Sequence, residues 1–398
     1  MTTQENRMLL SLLGYELFGG ALPESTDGMD WPAVLRKAND HAVTALLYSG
    51  MKEMAGVPEA IVSRVRGAAI AADLQGEHML AVQQEILDTL GANRIPCAVL
   101  KGSSVAWCYP HPELRMPGDI DLLVGEANLE AACRLLQGIG FAADHETELH
   151  VDLQRADVVL EMHKTTSIFP RTEKGAWTAD YMGQALAHVR QQTLRGCAFP
   201  MLAKPEQLVS LLAHMSRHLG SSGIGLRQLC DWAVTAHRLR EEIGPEDIGL
   251  LERCGLLKFA SIVTRMCEKY LGLPECAWVQ DVPAELVDAA MADILAVGNF
   301  HAQQGERTLS VTMMSNRSEA QPGTNNPVVN YFRYVRFKLD AQYPWAKSPL
   351  WVAPFSVYFP LQWLVRVLKG QRKGANPLRS MKTAHAREKL LREMELFR

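Results

Sequence analysis

Two aspartates separated by one residue, Asp119 and Asp121, are the residues of this 398-residue chain most suited to chemistry. They begin the apolar run DIDLLV, residues 119–124, which predicts a strand. Because side chains alternate along a strand, both carboxylates would point to the same face. Two carboxylates that close repel each other unless a cation lies between them, and Mg²⁺ prefers carboxylate oxygens together with substrate phosphates. The pattern therefore predicts a magnesium site, although such a pair alone is also typical of a solvated strand end.

Residues before this pair could bind a phosphate. Gly102 and Ser103 end the apolar run CAVLKG, residues 97–102, which predicts a strand, and begin a predicted short helix. A glycine-serine turn at a helix start either offers its amides and hydroxyl to a phosphate or simply caps the helix. Lys101 and Arg115 are cations that either bind a triphosphate or form local ion pairs.

A third carboxylate, Glu161, lies in the run ADVVLEMH, which with the preceding HVDLQ predicts a hairpin within residues 148–163. It could complete the metal site, with Asp152 and Asp157 of the same hairpin as the alternatives. His163 would share the face of Glu161 and either supports the site or packs in the core.

These segments together resemble a known family. The string LKGSSVAWCYPHPELRMPGDIDLLV, residues 100–124, followed by LEMH, residues 160–163, resembles the polymerase-β-type nucleotidyltransferase superfamily. More narrowly, it resembles the bacterial family of uncharacterised nucleotidyltransferases. That family's motif has L-K-G, tyrosine-proline, arginine and D-I-D-L-L-V, then an acidic residue two positions before histidine; the matching residues here are Leu100 to Gly102, Tyr109, Pro110, Arg115, Asp119 to Val124, Glu161 and His163.

The resemblance implies an α+β fold: a polymerase-β-type core with a small mixed sheet, flanked by N-terminal helices and a C-terminal helical domain. It implies transfer of a nucleoside monophosphate from an NTP, expected to be ATP, with release of pyrophosphate. Asp119, Asp121 and Glu161 would be catalytic and would hold two Mg²⁺ ions, and Glu161 would also receive the acceptor proton. The implied nucleotide-binding residues are Lys101, Gly102, Ser103, Arg115, Arg227 and Asp231.

Two features of the chain bear on that comparison. GLRQLCD, residues 225–231, resembles the family's arginine-to-aspartate helix, although Arg227 and Asp231 could also form a plain helical ion pair. The sixteen residues between Gly102 and Asp119 make a longer connection than in minimal members of the superfamily. The resemblance therefore implies that loop 110–118 could fold over the substrate.

Apolar periodicity predicts four parts: an N-terminal helical region over 1–90, a mixed α/β part over 91–200, a helical domain over 201–330 and a tail over 331–398. The resemblance implies that the part over 91–200 is the nucleotidyltransferase catalytic core. Within the third part, residues 315–330 are predicted to be a loop. The tail interleaves aromatic residues with prolines and ends in a basic helix predicted over 379–398. We expect the tail to contact a membrane surface, an acidic partner or RNA, or to pack on the body as an aromatic strap.

Composition, net charge and cysteine spacing limit the class of protein and the metals that it could bind. At 47% hydrophobic and 21% charged residues the chain is globular, and its net charge of −3 gives no strong nucleic-acid signal. The tail carries 14 Lys or Arg against 4 Asp or Glu, a net +10, so the remainder carries −13. The absence of C-x-x-C spacing leaves zinc supported only by the pair His214 and His218, which has no evident third ligand.

Other patterns bear on location and on function. An N-terminus without a signal pattern and the lack of a long uninterrupted apolar run predict a cytoplasmic protein. The acceptor is left open, with a hydroxyl on a small molecule, sugar or antibiotic first, then a protein side chain, then an RNA end. The alternatives to an enzyme are a non-catalytic nucleotide-binding or regulatory protein and an antitoxin-like partner protein.

Overall fold

The computed structural model describes residues 3–220, 223–296, 348–368 and 389–397, together with the single positions 332, 335, 336, 339, 343 and 387. The chain divides into two units. The first unit comprises residues 1–216, 224–299 and 395–398, and the second comprises residues 217–223 and 300–394. Every residue predicted from the sequence to be catalytic or nucleotide-binding lies in the first unit.

The chain begins with helices, as the sequence predicts. Thr3 caps the first helix by accepting a hydrogen bond from the Asn6 amide, and Gly19 ends it in the left-handed conformation that glycine adopts without strain. The fourth helix has 34 residues and extends from these helices to the sheet. The helices are α1 (Gln4–Phe18), α2 (Trp31–Asp40), α3 (Tyr48–Glu53) and α4 (Glu59–Ala92), with a 3-10 turn at Ala45–Leu47.

A mixed sheet of seven strands follows. Its order is β3-β4-β5-β2-β1-β7-β6. The pairs β2–β5 and β1–β7 are parallel, and the other neighbours are antiparallel. The strands are β1 (Ala98–Val99), β2 (Ile120–Leu123), β3 (Ala142–Glu146), β4 (His150–Arg155), β5 (Val158–His163), β6 (Val189–Leu194) and β7 (Cys197–Leu202).

Helices interrupt and then follow the sheet. Most of the described residues between 204 and 295 are helical, and Trp232 among them is completely buried, with its indole N–H donating to Thr264 Oγ1 at 2.9 Å. The remaining helices are α5 (Ser103–Ala106), α6 (Glu126–Gly138), α7 (Glu173–Met182), α8 (Lys204–Gly220), α9 (Leu226–Leu239), α10 (Pro245–Cys254), α11 (Leu257–Leu271), α12 (Ala284–Leu295) and α13 (Val352–Leu368).

A hydrophobic core under the sheet holds the strands that carry the predicted site. Leu122 of β2, Leu160 of β5 and Phe199 of β7 are fully buried in one cluster with Ile86 and Leu90 of α4. Burying a side chain of this size stabilises the fold by about 1.5–3 kcal/mol. The alternate residues of β2 and β5 must then lie on the opposite face, which is where the polar side chains gather.

The predicted α+β class is confirmed, and so are the strands predicted at 97–102 and 119–124 and the hairpin within 148–163. Neither β3 nor the β6–β7 hairpin is predicted from the sequence. All five residues of β3 are exposed, so it shows no apolar alternation, and four of the six residues of β6 are polar. The division into four domains stays a prediction.

The C-terminal tail is described only in part. Both Pro354 and Pro360 lie within α13, which covers most of the apolar stretch 349–368. Pro354 falls in the first turn of α13, where its missing N–H is no loss. Among the described residues, none of the helices has the length and apolar character that a membrane span requires. The loop predicted over 315–330 lies outside the described residues, as do 379–386 and 388 of the predicted basic helix, whereas residues 389–393 are helical.

Candidate active site

Three carboxylates meet where β2 and β5 lie side by side. Asp119 immediately precedes β2, Asp121 lies within it, and the register of the parallel pair sets Asp121 opposite Glu161. One carboxylate oxygen from each of the three lies within 4.8 Å of the others. Residues 42 positions apart thus share one site because two buried strands pair in a single register.

The charges in this group are only partly balanced. The negative charge of Asp121, with burial as the second cause, raises the pKa of Asp119 to about 6. Burial alone would also raise the pKa of Asp121, but the nearby Lys101 and His163 more than offset it and hold that pKa well below its usual range. A divalent cation would relieve the remaining repulsion, and three hard oxygen donors are the set that Mg²⁺ prefers. The residues present therefore fit a magnesium site.

Lys101 is the nearest cation to the acids. Its Nζ lies 2.5 Å from Asp121 Oδ1, and its side chain is 19% exposed. Burial would lower its pKa, but the adjacent Asp121 raises it above the ordinary value, so the ammonium stays charged. Lys101 was predicted to bind nucleotide, and the structure places it against the carboxylate of Asp121.

His163 lies between two of the three carboxylates. Its Nε2 is 3.0 Å from Asp121 Oδ1 and 3.1 Å from Glu161 Oε2, and its side chain is 3% exposed. Burial would lower its pKa, but the two carboxylates raise it above the ordinary value. Of the two roles left open by the sequence, the structure favours one in the site.

His150 is a neighbour that sequence reasoning missed. It lies directly opposite His163 in the β4–β5 pair, and its Nδ1 is 3.6 Å from Glu161 Oε2. The signal was the hairpin itself: once β4 and β5 are paired in register, alternation puts His150 on the face of Glu161. The run HVDLQ predicted the strand but not that register.

The backbone of the predicted phosphate turn has the conformation expected there, but the Ser103 hydroxyl is already hydrogen-bonded within the protein. Gly102 has φ +60° and ψ −114°, a conformation open essentially to glycine alone, and it precedes α5. The hydroxyl of Ser103, predicted to meet phosphate, donates to Gln83 Oε1 of α4 at 2.6 Å. The amides of Ser104, Val105 and Ala106 bond to carbonyls within the turn. The amides of Gly102 and Ser103 make no such bond within the described residues, so both remain as donors for a phosphate.

Arg115 and Asp231 form a buried pair across the fold. Arg115 donates from Nε to Asp231 Oδ1 at 2.8 Å and from Nη2 to Oδ2 at 2.9 Å. The Tyr109 hydroxyl donates to Asp231 Oδ1 at 2.7 Å. Burial would raise the pKa of Asp231, and the Arg115 guanidinium outweighs it and lowers that pKa. Asp231, predicted to bind nucleotide, thus holds Arg115 in place.

Arg227 belongs to the same end of the site. A Cβ built on Gly118, the residue before Asp119, would lie 3.3 Å from Arg227 Nη1, so the guanidinium lies against this backbone. The alternative of a plain helical pair does not describe the geometry, because Asp231 makes its hydrogen bonds with Arg115 and Tyr109.

A cleft beside the acids joins these parts. Its lining includes Asp119 and Asp121, the Lys101 to Ser103 segment, Arg115 and the face of α4 that bears Gln83. Six of the nine residues predicted from the sequence to form the site thus line one cleft, whereas Glu161, Arg227 and Asp231 do not. Glu161 lies next to the cleft, opposite Asp121 on the neighbouring strand.

Of the two alternative acids predicted from the sequence, Asp157 lies away from the site and Asp152 lies beside it. Asp157 lies in the turn between β4 and β5, 3.4 Å from His78 of α4, and not among the three acids. Asp152 lies opposite Glu161 in the β4–β5 pair, beside His150. The pair His214 and His218 joins no group of three metal-ligating side chains in the described part of the chain.

Comparison with known proteins gives one match. No curated protein and no solved structure matches the chain. A family model described as an uncharacterised nucleotidyltransferase matches residues 27–272, which is more than half of the chain and contains every residue of the candidate site. The chain therefore belongs to the uncharacterised nucleotidyltransferase family.

Proposed function

We propose that this protein is a magnesium-dependent nucleotidyltransferase that moves a nucleoside monophosphate from an NTP, with ATP the expected donor, to an acceptor hydroxyl. Pyrophosphate is the leaving group. The observation that carries this proposal is the meeting of Asp119, Asp121 and Glu161 beside the Gly102 turn. Family membership supports the reaction class.

Asp119, Asp121 and Glu161 would hold the metal. When bound, Mg²⁺ supplies neutralisation of the phosphate charge and a lower pKa for the attacking hydroxyl. In its absence Lys101 balances the charge of Asp121, with Nζ 2.5 Å from Oδ1. This lysine is then available to turn toward a phosphate oxygen once another cation satisfies Asp121.

The turn and the arginines would hold the nucleotide. Gly102 has no side chain, so a phosphate can approach its backbone closely, and the amides of Gly102 and Ser103 would donate to it. Arg227 lies against the backbone of Gly118, next to Asp119, where it can contact the triphosphate. Arg115 is fixed by Asp231, so its guanidinium keeps one orientation at the cleft wall.

Glu161 would receive the acceptor proton. Its contacts with His163 and His150 are made by Oε2, so Oε1 is the oxygen assigned to the acceptor. General-base assistance of this kind accelerates a reaction by about 10²–10⁴-fold. His163 holds Asp121 and Glu161 in one arrangement through a single nitrogen.

The test is transfer of label from each α-labelled NTP, with Mg²⁺, to components of a cell extract. Wild-type protein should label an acceptor and release pyrophosphate, and Asp119→Asn and Asp121→Asn should abolish both. Asp157→Asn is the matched control, because this aspartate lies in the β4–β5 turn outside the site. Label transfer by Asp119→Asn at the wild-type rate would refute the proposal. Metal-dependent NTP binding without transfer from any extract fraction would instead support a non-catalytic nucleotide-binding protein.

The proposal also names a class of acceptor and a role for the basic tail. A hydroxyl on a small molecule, a sugar or a protein is the acceptor class we propose. The basic tail, residues 331–398, is proposed to bind an acidic partner or a membrane surface through its net charge of +10.

A further inference from the structure

A second group of side chains with metal-ligating atoms lies beside the three carboxylates. His150 of β4, together with Glu161 and His163 of β5, places one ligand atom from each residue within 4.8 Å of the others. The strand register produces this group, because His150 is paired with His163 across the hairpin. The two imidazole rings have their centroids 5.1 Å apart. The group differs from the acidic one in its donors, two of which are nitrogens.

The surroundings of His150 favour the tautomer in which Nδ1 carries no proton. Its Nε2 lies 3.1 Å from Asp152 Oδ1 in an ion-pair contact whose angles do not make a hydrogen bond, and the negative charge of this carboxylate favours the proton on Nε2. Nδ1 then carries a lone pair. It is buried, has no hydrogen-bond partner within the described residues, and lies 3.6 Å from Glu161 Oε2. A lone pair facing a carboxylate oxygen is repulsive unless a cation lies between them.

The distances suit a small cation with directional bonds. Zinc bonds to nitrogen and oxygen of about 2.0–2.1 Å, arranged tetrahedrally, place neighbouring ligand atoms about 3.3 Å apart. Glu161 Oε2 is 3.1 Å from His163 Nε2 and 3.6 Å from His150 Nδ1, which brackets that value. Imidazole nitrogens suit Zn²⁺, whereas Mg²⁺ takes oxygen ligands.

We propose that His150, Glu161 and His163 form a zinc site that adjoins the three carboxylates and shares Glu161 with them. Three protein ligands leave the fourth position of Zn²⁺ to a water or a substrate oxygen, as in catalytic zinc sites. His163 Nε2 gives up its proton when it binds the metal, so the metal bond replaces the contacts that this nitrogen makes with Asp121 and Glu161 in the metal-free protein. Asp152 positions His150 by its contact with Nε2. The inference goes beyond the proposed transfer reaction, and it can be tested on bound metal rather than on turnover.

The experiment measures zinc bound to the full-length protein. Protein stripped with a chelator is dialysed against limiting Zn²⁺ in excess Mg²⁺, and its zinc content is measured by mass spectrometry. We expect one Zn²⁺ per chain that excess Mg²⁺ does not displace. His150→Ala should weaken zinc binding by more than about 100-fold, and Asp152→Asn by about 10–100-fold, the cost usual for a residue that orients a ligand.

Two controls separate this site from the acidic one and from a general effect of losing a histidine. His78→Ala removes a histidine that pairs with a single aspartate, Asp157, and zinc content should stay at the wild-type level. Asp119→Asn should also keep its zinc while losing label transfer, so failure of the zinc proposal is distinguishable from failure of the proposed reaction. The conservative His150→Gln, checked by circular dichroism, guards against a folding defect in His150→Ala. Loss of zinc to excess Mg²⁺, or equal zinc in wild type, His150→Ala and His150→Gln, would overturn the proposal.

Discussion

Replacing Asp231 with asparagine should destabilise the protein far more than a typical surface substitution does. The variant keeps the shape of the side chain but leaves the Arg115 guanidinium without its counter-ion. The side chains of Arg115 and Asp231 are 6% and 13% exposed, so water cannot replace the lost carboxylate. Removing one partner of a buried pair costs about 3–5 kcal/mol, because an uncompensated buried charge remains.

A surface pair of similar geometry supplies the comparison. Arg155 donates to both oxygens of Glu85, at 3.0 and 2.6 Å, but these side chains are 24% and 48% exposed. Glu85→Gln should therefore lower the free energy of unfolding far less than Asp231→Asn does. Urea unfolding followed by circular dichroism measures both variants under the same conditions.

The difference in stability between wild type and Asp231→Asn should depend on pH in a definite direction. The pKa of Asp231 is lowered in the folded protein, so its contribution is present above the ordinary aspartate pKa, about 3.9, and is lost as the pH falls through the folded value. The gap between wild type and Asp231→Asn should shrink on acidification below that range. A gap that is small at neutral pH would refute the argument.

A triple variant tests the origin of the cost. Arg115→Met, Asp231→Leu and Tyr109→Phe together remove the charges and the hydroxyl that would otherwise lose its acceptor. Apolar replacement of a whole buried network is often close to neutral. The triple variant should therefore be more stable than Asp231→Asn, and a lower stability would show that packing rather than the unpaired charge sets the cost.

Three further outcomes are expected. Gly102→Ala should lower the free energy of unfolding by about 1–3 kcal/mol, because the φ of Gly102 is +60°, whereas Gly67→Ala, at an exposed position within α4, should raise it by about 1 kcal/mol. Urea unfolding that gave the same sign for both variants would contradict this. The pKa of Asp119 is raised to about 6, so the metal-free protein should lose stability as the pH rises from the ordinary aspartate pKa through 6. In thermal melts with chelator, Asp119→Asn should reduce this dependence of stability on pH, and the same dependence in both proteins would count against the argument. Glu161→Gln should lower kcat by about 10²–10⁴-fold with a smaller change in KM for NTP, and a near-normal kcat would place the base elsewhere.

Local pattern was enough to place the acids on their strands, whereas their prediction as a metal site also needed the family resemblance. Asp119 and Asp121 lie at the start of a short apolar run that predicts a buried strand, and alternation along a strand determines which side chains share a face. Glu161 and His163 followed by the same rule on a second strand. Each of these predictions needs only the residues within one strand.

What the sequence could not supply is pairing between distant segments. The Asp231 carboxylate binds Arg115 from 116 positions away, and the Ser103 hydroxyl binds Gln83 on α4. Spacing of four residues suggested instead that Asp231 pairs with Arg227. Likewise His150 has no local signal, since its place beside Glu161 depends on the register of two strands.

The face on which Glu161 lies depends on the number of β5 residues that precede it. Glu161 and His163 have odd positions on one face, whereas Leu160 and Met162 are buried on the other. Deleting a single residue ahead of Glu161, with the β4–β5 turn kept, would exchange the faces and drive the carboxylate and the imidazole into the apolar core at once. Deleting two would restore the face but move both groups along the strand by about 7 Å. In β5, therefore, natural variants of this chain should tolerate changes of residue type but not of residue number, and insertions and deletions should accumulate in the loops instead.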